Sequence, residues 1–305
     1  MRALTTTIAV ACTAAGLIGL AAFGVEPAAT KKPQATPSPQ PAFYLTAASA
    51  GDLRRQAYDA GARFARSQGP GHSLLALDFG AARLKYGTYG TALRSGTFFG
   101  NADIRRALQA AARGYRDEYR RGSVTIVYAS SNAYLGRPGP GYEAFSEDTA
   151  REAGEQQAEA VRELELYAHE SATVGGDIEP GYDITAEPDL SIALVAGALA
   201  GAGGSSYYDF GTAPCSDGKC INGWTVQDVC EVASGGGRQA VPEIYFERLV
   251  DQPAQWAAVQ KACRIEAFAG VSASPLGELT PAESWRALKA ETTVDVDPIV
   301  VVFPG

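Results

Sequence analysis

Histidine is nearly absent from this 305-residue chain, with only His72 and His169 present. Each directly precedes an apolar, strand-like run, which puts it on the N-terminal face of a parallel sheet, away from the face where such sheets carry chemistry. That excludes a histidine-based zinc hydrolase, a histidine-dependent phosphodiesterase and a Ser-His-Asp triad. No G-x-S-x-G elbow and no P-loop occur. Positive charge is also short: 26 Lys and Arg against 34 Asp and Glu leave a formal net charge of −8. An acidic surface repels nucleic acid and anionic lipid, so neither is an expected partner. Beyond the N-terminal segment no apolar run reaches the length of a membrane span.

That segment has the form of a secretory signal. Met1-Arg2 supplies the positive start, apolar residues are densest from Ile8 to Phe23, and Ala22-Phe23-Gly24 offers a small-x-small cleavage site. A signal over residues 1–24 and a secreted product are expected, and an uncleaved N-terminal anchor is the alternative. Ala9-Val10-Ala11-Cys12 lacks the leucine of a lipoprotein site. Once Cys12 leaves with the signal, an even set remains: Cys215, Cys220, Cys230 and Cys263. In an oxidising compartment these allow three pairings. Cys215–Cys220, closing a short polar loop, and Cys230–Cys263, tying two successive helices, are the favoured ones. Zinc is the rival, but the spacing is wrong and no histidine lies nearby. No metal or cofactor is expected.

Residues 25–42 are rich in proline and read as an extended linker. A single domain over 43–305 follows. Strand-like runs at Leu74–Phe79, Val124–Tyr128, Ala172–Glu179, Ser206–Phe210, Val241–Phe246, Ile265–Val271 and Pro298–Phe303 alternate with helical periodicity. Ile104, Leu108, Ala111, Tyr115 and Tyr119 share one helical face, and Ala150, Ala153, Gln157, Ala160, Val161 and Leu164 another. A further helix spans Asp52–Arg66. Thr280-Pro281-Ala282-Glu283 is a capping box, and Asp251 caps the helix that begins at Gln252-Pro253. This alternation predicts an α/β fold, a (β/α)8 TIM-type barrel, incomplete or irregular, with disulfides. The eighth strand is sought in Arg83–Phe99. An open doubly wound sheet is the runner-up, but no dinucleotide-binding turn supports it.

Barrel chemistry sits at the C-terminal strand ends. Those ends carry Asp78, Asp177 and Glu179, Asp209 and Glu243. Asp177 and Glu179 are two apart, so both point to the same side of a strand. A crowded carboxyl holds its proton more tightly, as a general acid near neutral pH must. Glycosidic cleavage needs one such acid and a second, ionised carboxylate. Glu179 is the expected acid and Asp177 its tuning partner. Asp78 and Asp209 are candidates for the second carboxylate, with Glu243 in reserve. A single acid at a strand end more often caps a helix or accepts loop N–H bonds. Tyr134 and Tyr142, and with them the substrate-binding candidates Tyr182, Tyr208, Trp224 and Tyr245, could stack on sugar rings. Trp256 and Trp285, inside helices, read as packing residues.

Leu75-Ala76-Leu77-Asp78-Phe79-Gly80 followed by Gly176-Asp177-Ile178-Glu179 resembles the glycoside hydrolase-like barrels related to muramidase-type lysozymes. Tyr207-Tyr208-Asp209-Phe210-Gly211, Gly223-Trp224-Thr225, Pro242-Glu243-Ile244-Tyr245 and Gln255-Trp256 resemble stretches of uncharacterised secreted bacterial proteins. The resemblance implies a first-strand aspartate and a middle-strand Asp-x-Glu lining a cleft, with the glutamate as acid. It implies a polysaccharide or peptidoglycan partner. Here Asp-x-Glu falls on the third predicted strand, where the lysozymes place it on the fourth. Chitinase-like barrels also carry Asp-x-Glu, so the motif does not choose a substrate. A non-catalytic carbohydrate-binding barrel and a Ca²⁺-stabilised structural domain are the competing classes.

Overall fold

The computed structural model describes residues 37–118, 122–182 and 184–304. The signal segment, Cys12, the linker as far as residue 36 and Tyr119 lie outside them. Among the described residues nine strands occupy eight positions around a barrel. β1 (Ser38–Pro41) and β2 (Phe43–Tyr44) are two halves of one extended run. β3 (His72–Lys85), β4 (Ser123–Ser131), β5 (Glu170–Asp177), β6 (Tyr207–Asp209), β7 (Arg238–Ala240), β8 (Val271–Ala273) and β9 (Ile299–Val302) follow. The covering helices are α1 (Ala50–Ser67), α2 (Asn101–Glu118), α3 (Glu147–Arg162), α4 (Pro188–Gly201), α5 (Val226–Ala233), α6 (Gln252–Cys263) and α7 (Pro281–Glu291).

Every neighbouring pair around the barrel is parallel. One arc runs from β2 through β3, β4, β5 and β6 to β7. The other joins β8, β9 and β1. Between β7 and β8 the ladder gives way to a Glu243–Ser272 bridge and to Ser272 N donating to the Pro242 carbonyl at 2.8 Å. The fold is therefore an irregular (β/α)8 barrel.

The other seam corrects two expectations. The Pro-rich segment was expected to stay unfolded to residue 42 and the eighth strand to lie in Arg83–Phe99. Instead Ser38–Pro41 pairs with Ile299–Val302, and Gln40 and Ala42 are buried. The amides of Ser38 and Ala42 both donate toward β9, to Pro298 and Val302. Pro39 and Pro41 take the alternate positions, where the missing N–H would face β3. Proline is tolerated there because no ladder forms on that side. Gln40 supplies the link instead, its Oε1 accepting from Leu74 N at 2.6 Å. Thr88–Ala92, the segment expected as a barrel strand, folds back antiparallel on the outer part of β3. The register of β3 shifts between Asp78 and Ala81, with Gly80 at φ 80°. That bulge turns the strand out of the barrel and into a wall above its mouth.

Side-chain alternation divides the core in two. Leu74, Ala76, Val127, Ala129, Phe210, Val241 and Val301 fill the barrel interior. Leu75, Leu77, Ile126, Tyr128 and Val174 pack outward against the helices. Glycine lets the helices pair closely: a side chain on Gly114 would run into the Tyr58 carbonyl of α1, and one on Gly154 into the Leu194 carbonyl of α4. Both expected caps form, Thr280 with Glu283 and Asp251 with Ala254 N. Both expected disulfides form. Cys230–Cys263 joins α5 to the end of α6 across 33 residues, which is worth about 3–4 kcal/mol in chain-entropy terms. Trp256 and Trp285 are core residues. His72 and His169 sit at N-terminal strand ends.

Gln40→Leu is expected to leave the Leu74 amide buried without a partner and to cost about 1–3 kcal/mol. Chemical denaturation should show this as a lowered midpoint at unchanged slope. An unchanged midpoint would mean that the seam does not depend on this bond.

Candidate functional site

Alternation on β5 decides which side chains reach the mouth. Val174 and Ile178 point to the helices, so Asp177 and Glu179 point inward. Glu243, just past β7, comes in from the adjoining wall. Carboxylate oxygens of Asp177, Glu179 and Glu243 lie within 4.8 Å of one another. Asp78, inward on β3, faces the same mouth, and its charge acts on Asp177.

The trio is held by Asn132, Gln252 and Thr212, whose part in it sequence reasoning overlooked, and by Tyr182 and Tyr245, which were expected there as sugar-stacking residues. Asn132, fully buried after β4, accepts from Glu179 N at 3.0 Å and donates to its carbonyl at 3.1 Å. That clamp fixes the backbone from which the Glu179 side chain projects. Gln252, recognisable beforehand only as part of a helix start, donates to Glu243 Oε1 at 3.3 Å. Its own Oε1 accepts from Tyr245 N and Phe246 N at 2.7 and 2.8 Å. The hydroxyl of Tyr182 donates to Asp177 Oδ2, and Asp177 Oδ1 has no partner. Thr212 bonds Glu179, and Tyr245 bonds Glu243. Tyr44, the last residue of β2, stacks beneath the Arg94 guanidinium at 3.6 Å. None of these has a spacing signal, because each is brought in by a different element.

Burial raises every carboxyl of the set, and within the trio crowding adds to it. Glu179 is pushed up to about 8, first by burial and then by Glu243. Glu243 also reaches about 8, by burial and then Asp177. Asp177 is raised by burial and by Glu179, with the Tyr182 hydrogen bond opposing. Asp78 is raised by burial, against the Gly80 amide and Arg94. At neutral pH the trio therefore retains protons, and Glu179 and Glu243 are hydrogen-bonded to each other. Three convergent carboxylates are also the donor set that could hold a divalent cation.

Three candidates move out of the site. Asp209 lies on the outward side of β6, is 0 % exposed, and accepts from Gly211 N at 3.1 Å and Ile178 N at 3.4 Å. It holds the turn after its strand. Trp224 is 1 % exposed, and its indole donates to the Ala186 carbonyl at 2.8 Å; it is a core residue. Tyr208 packs with Phe210 inside the barrel, where its hydroxyl feels Asp297, which precedes β9. That is the opposite end from the mouth. The expected fifth strand also shrinks: Glu243 stands on a lone bridge rather than in a ladder. With Ser38–Tyr44 counted first, Asp-x-Glu falls on the fourth barrel strand and Asp78 on the second.

Beside the trio opens a cleft of about 670 Å³, bounded by Asp78, Tyr182, Tyr134, Tyr142 and the arginines Arg83, Arg94 and Arg137. The trio is not among the residues that line this cleft, but Tyr182, which does line it, bonds Asp177.

The chain matches no family model, and no curated protein matches it. Among solved structures it is similar to a sugar phosphate isomerase/epimerase from Parabacteroides distasonis, at 11 % identity and a TM-score of 0.46, over 92 % of this chain and 91 % of that one. It is also similar to a glycerophosphodiester phosphodiesterase from the same organism, at 9 % identity and a TM-score of 0.37, over 88 % and 94 %. Those activities are properties of those two proteins.

Folding raises Glu179 and Glu243 from 4.5, and Asp209 from 3.8 to about 7. The folded state thus keeps protons that the unfolded chain has released. The resulting stability is full below the unfolded values and is lost as pH rises through the folded ones. Melting temperature should fall by several degrees between about pH 5 and about pH 9, and Glu243→Gln should flatten that fall. A melting temperature that rises across this window would contradict the protonated cluster.

Proposed function

We propose that this protein is an exported glycoside hydrolase acting on cell-wall or extracellular polysaccharide, with Glu179 as its general acid. The observation that carries the reading is the convergence of Asp177, Glu179 and Glu243 within 4.8 Å at the C-terminal mouth, with Glu179 protonated at neutral pH. Glu179 gives its proton to the glycosidic oxygen as the bond to the anomeric carbon breaks. The bonding pair leaves with that oxygen, and positive charge develops on the ring. A single negative charge in the trio suffices to meet it. The Tyr182 hydrogen bond favours that charge on Asp177, whose Oδ1 is unpartnered. Glu179, now ionised, accepts a proton from the water that completes hydrolysis. Glu243 and Gln252 hold and tune Glu179.

Carboxyls this close leave no room for a water between them, which favours retention of anomeric configuration. The motif's resemblance to muramidase-type lysozymes supports a cell-wall substrate. Export is supported by the two disulfides. Among the described residues no helix is long and apolar enough to cross a membrane.

Purified protein is expected to release reducing ends from peptidoglycan or chitin fragments with retained configuration by proton NMR, unaffected by EDTA. Glu179→Gln should lower the rate by about 10²–10⁴-fold while leaving binding intact. Binding without turnover, unchanged in that variant, would make the barrel a carbohydrate-binding domain. Abolition by EDTA would assign the trio to a cation.

A further inference from the structure

The chain is acidic overall, yet the cleft beside the trio is lined by three arginines and by one carboxylate, Asp78. Arg94 spends its charge locally, with its Nε 3.9 Å from Asp78 Oδ2. Among the described residues the other two have no such partner. Arg83 is 7 % exposed, and no carboxylate lies within ion-pair distance of it among the described residues. Its Nη1 donates to the Tyr134 carbonyl at 2.7 Å, and its guanidinium lies 4.4 Å from the centre of the Tyr142 ring. Those contacts orient the fork without neutralising it, and among the described residues Nε and Nη2 have no hydrogen-bond partner.

Arg137 makes the arrangement a pair. Its guanidinium and that of Arg83 lie 5.6 and 6.0 Å from the same Tyr134 ring. Arg137 is close enough to help burial push the Arg83 guanidinium toward its neutral form. Tyr134 holds this position at φ 65°, a left-handed conformation that a bulky residue rarely adopts. A strained tyrosine thus spaces two like charges, one of them buried, on the wall of an open cleft. Two planar forks with free donors form the receptor geometry of an oxyanion, which each can bind with two parallel hydrogen bonds.

We propose that Arg83 and Arg137 form an anion subsite that selects glycans bearing a carboxylate or phosphate group next to the cleaved linkage. The inference rests on the hydrolase reading for its substrate class only. The binding it claims stands or falls separately.

The test is calorimetric titration of the purified chain with three oligosaccharides of equal length: one carrying uronic acids, one carrying phosphate monoesters, and one neutral. At least one anionic ligand should bind about ten-fold or more tightly than the neutral one, with affinity falling as salt rises. Which of the two binds better identifies the source of the anion. Exposed Arg137→Ala, which the fold tolerates, should abolish the preference, and Arg83→Lys should weaken it because an ammonium lacks the fork. Equal affinity for neutral and anionic ligands, or a preference surviving Arg137→Ala, would overturn the proposal. Glu179→Gln separates the two readings: if that variant keeps the preference and wild type shows no turnover, only the hydrolase reading falls.

Discussion

Parallel pairing of Ser38–Pro41 with Ile299–Val302 brings the first and last barrel strands together, and the site's geometry depends on it. A parallel sheet buried on both faces has no tolerable free edge. Without this strand β9 and β3 would each expose one. The run does more than cover an edge. Two residues beyond the pairing, Phe43 and Tyr44 cross to β3 and pair with Leu77 and Asp78. That crossing places the Tyr44 ring under Arg94 and beside Asp78. One segment therefore supports both the barrel and a wall of its mouth, with one buried glutamine side chain accepting a hydrogen bond from the Leu74 amide where a ladder cannot form.

The parts legible in the sequence were those where one local signal suffices. Apolar runs marked β3, β4, β5 and β9, capping residues marked α6 and α7, and an even cysteine set marked both bridges. Ser38–Tyr44 was hidden because its prolines argue for an extended linker, and only a partner 260 residues away makes them compatible with a strand. Glu243 was legible as a strand-end acid but not as part of a β-ladder, since its bridge to Ser272 depends on where β8 ends. Asp209 illustrates the weakness of period-two reasoning. Tyr207, Tyr208 and Phe210 are apolar or aromatic on both faces of β6, so nothing in the run says which face Asp209 takes. Asp177 and Glu179 escaped that ambiguity because Ile178 between them is clearly outward.

Desolvation dominates the electrostatics of the mouth. For Asp177, Glu179 and Glu243 burial is the largest cause of the upward shift, and mutual repulsion comes second. A neutral carboxyl is what remains when neither water nor a cation compensates the charge. Among the described residues no arginine forms an ion pair with the trio, and Arg94 is engaged with Asp78 and Tyr44.

This separation of charge gives the two halves of the mouth different chemistry. Had Arg83 or Arg137 stood beside Glu179, the carboxylate form would have been stabilised and the proton lost at neutral pH. Had the trio lined the arginine cleft, its charges would have paired with the guanidinium forks there. Tyr182 stands where the halves meet, lining the cleft with its ring while its hydroxyl bonds Asp177. A neutral, hydrogen-bonding residue thus stands at the junction between the arginine-lined wall and the protonated carboxyls.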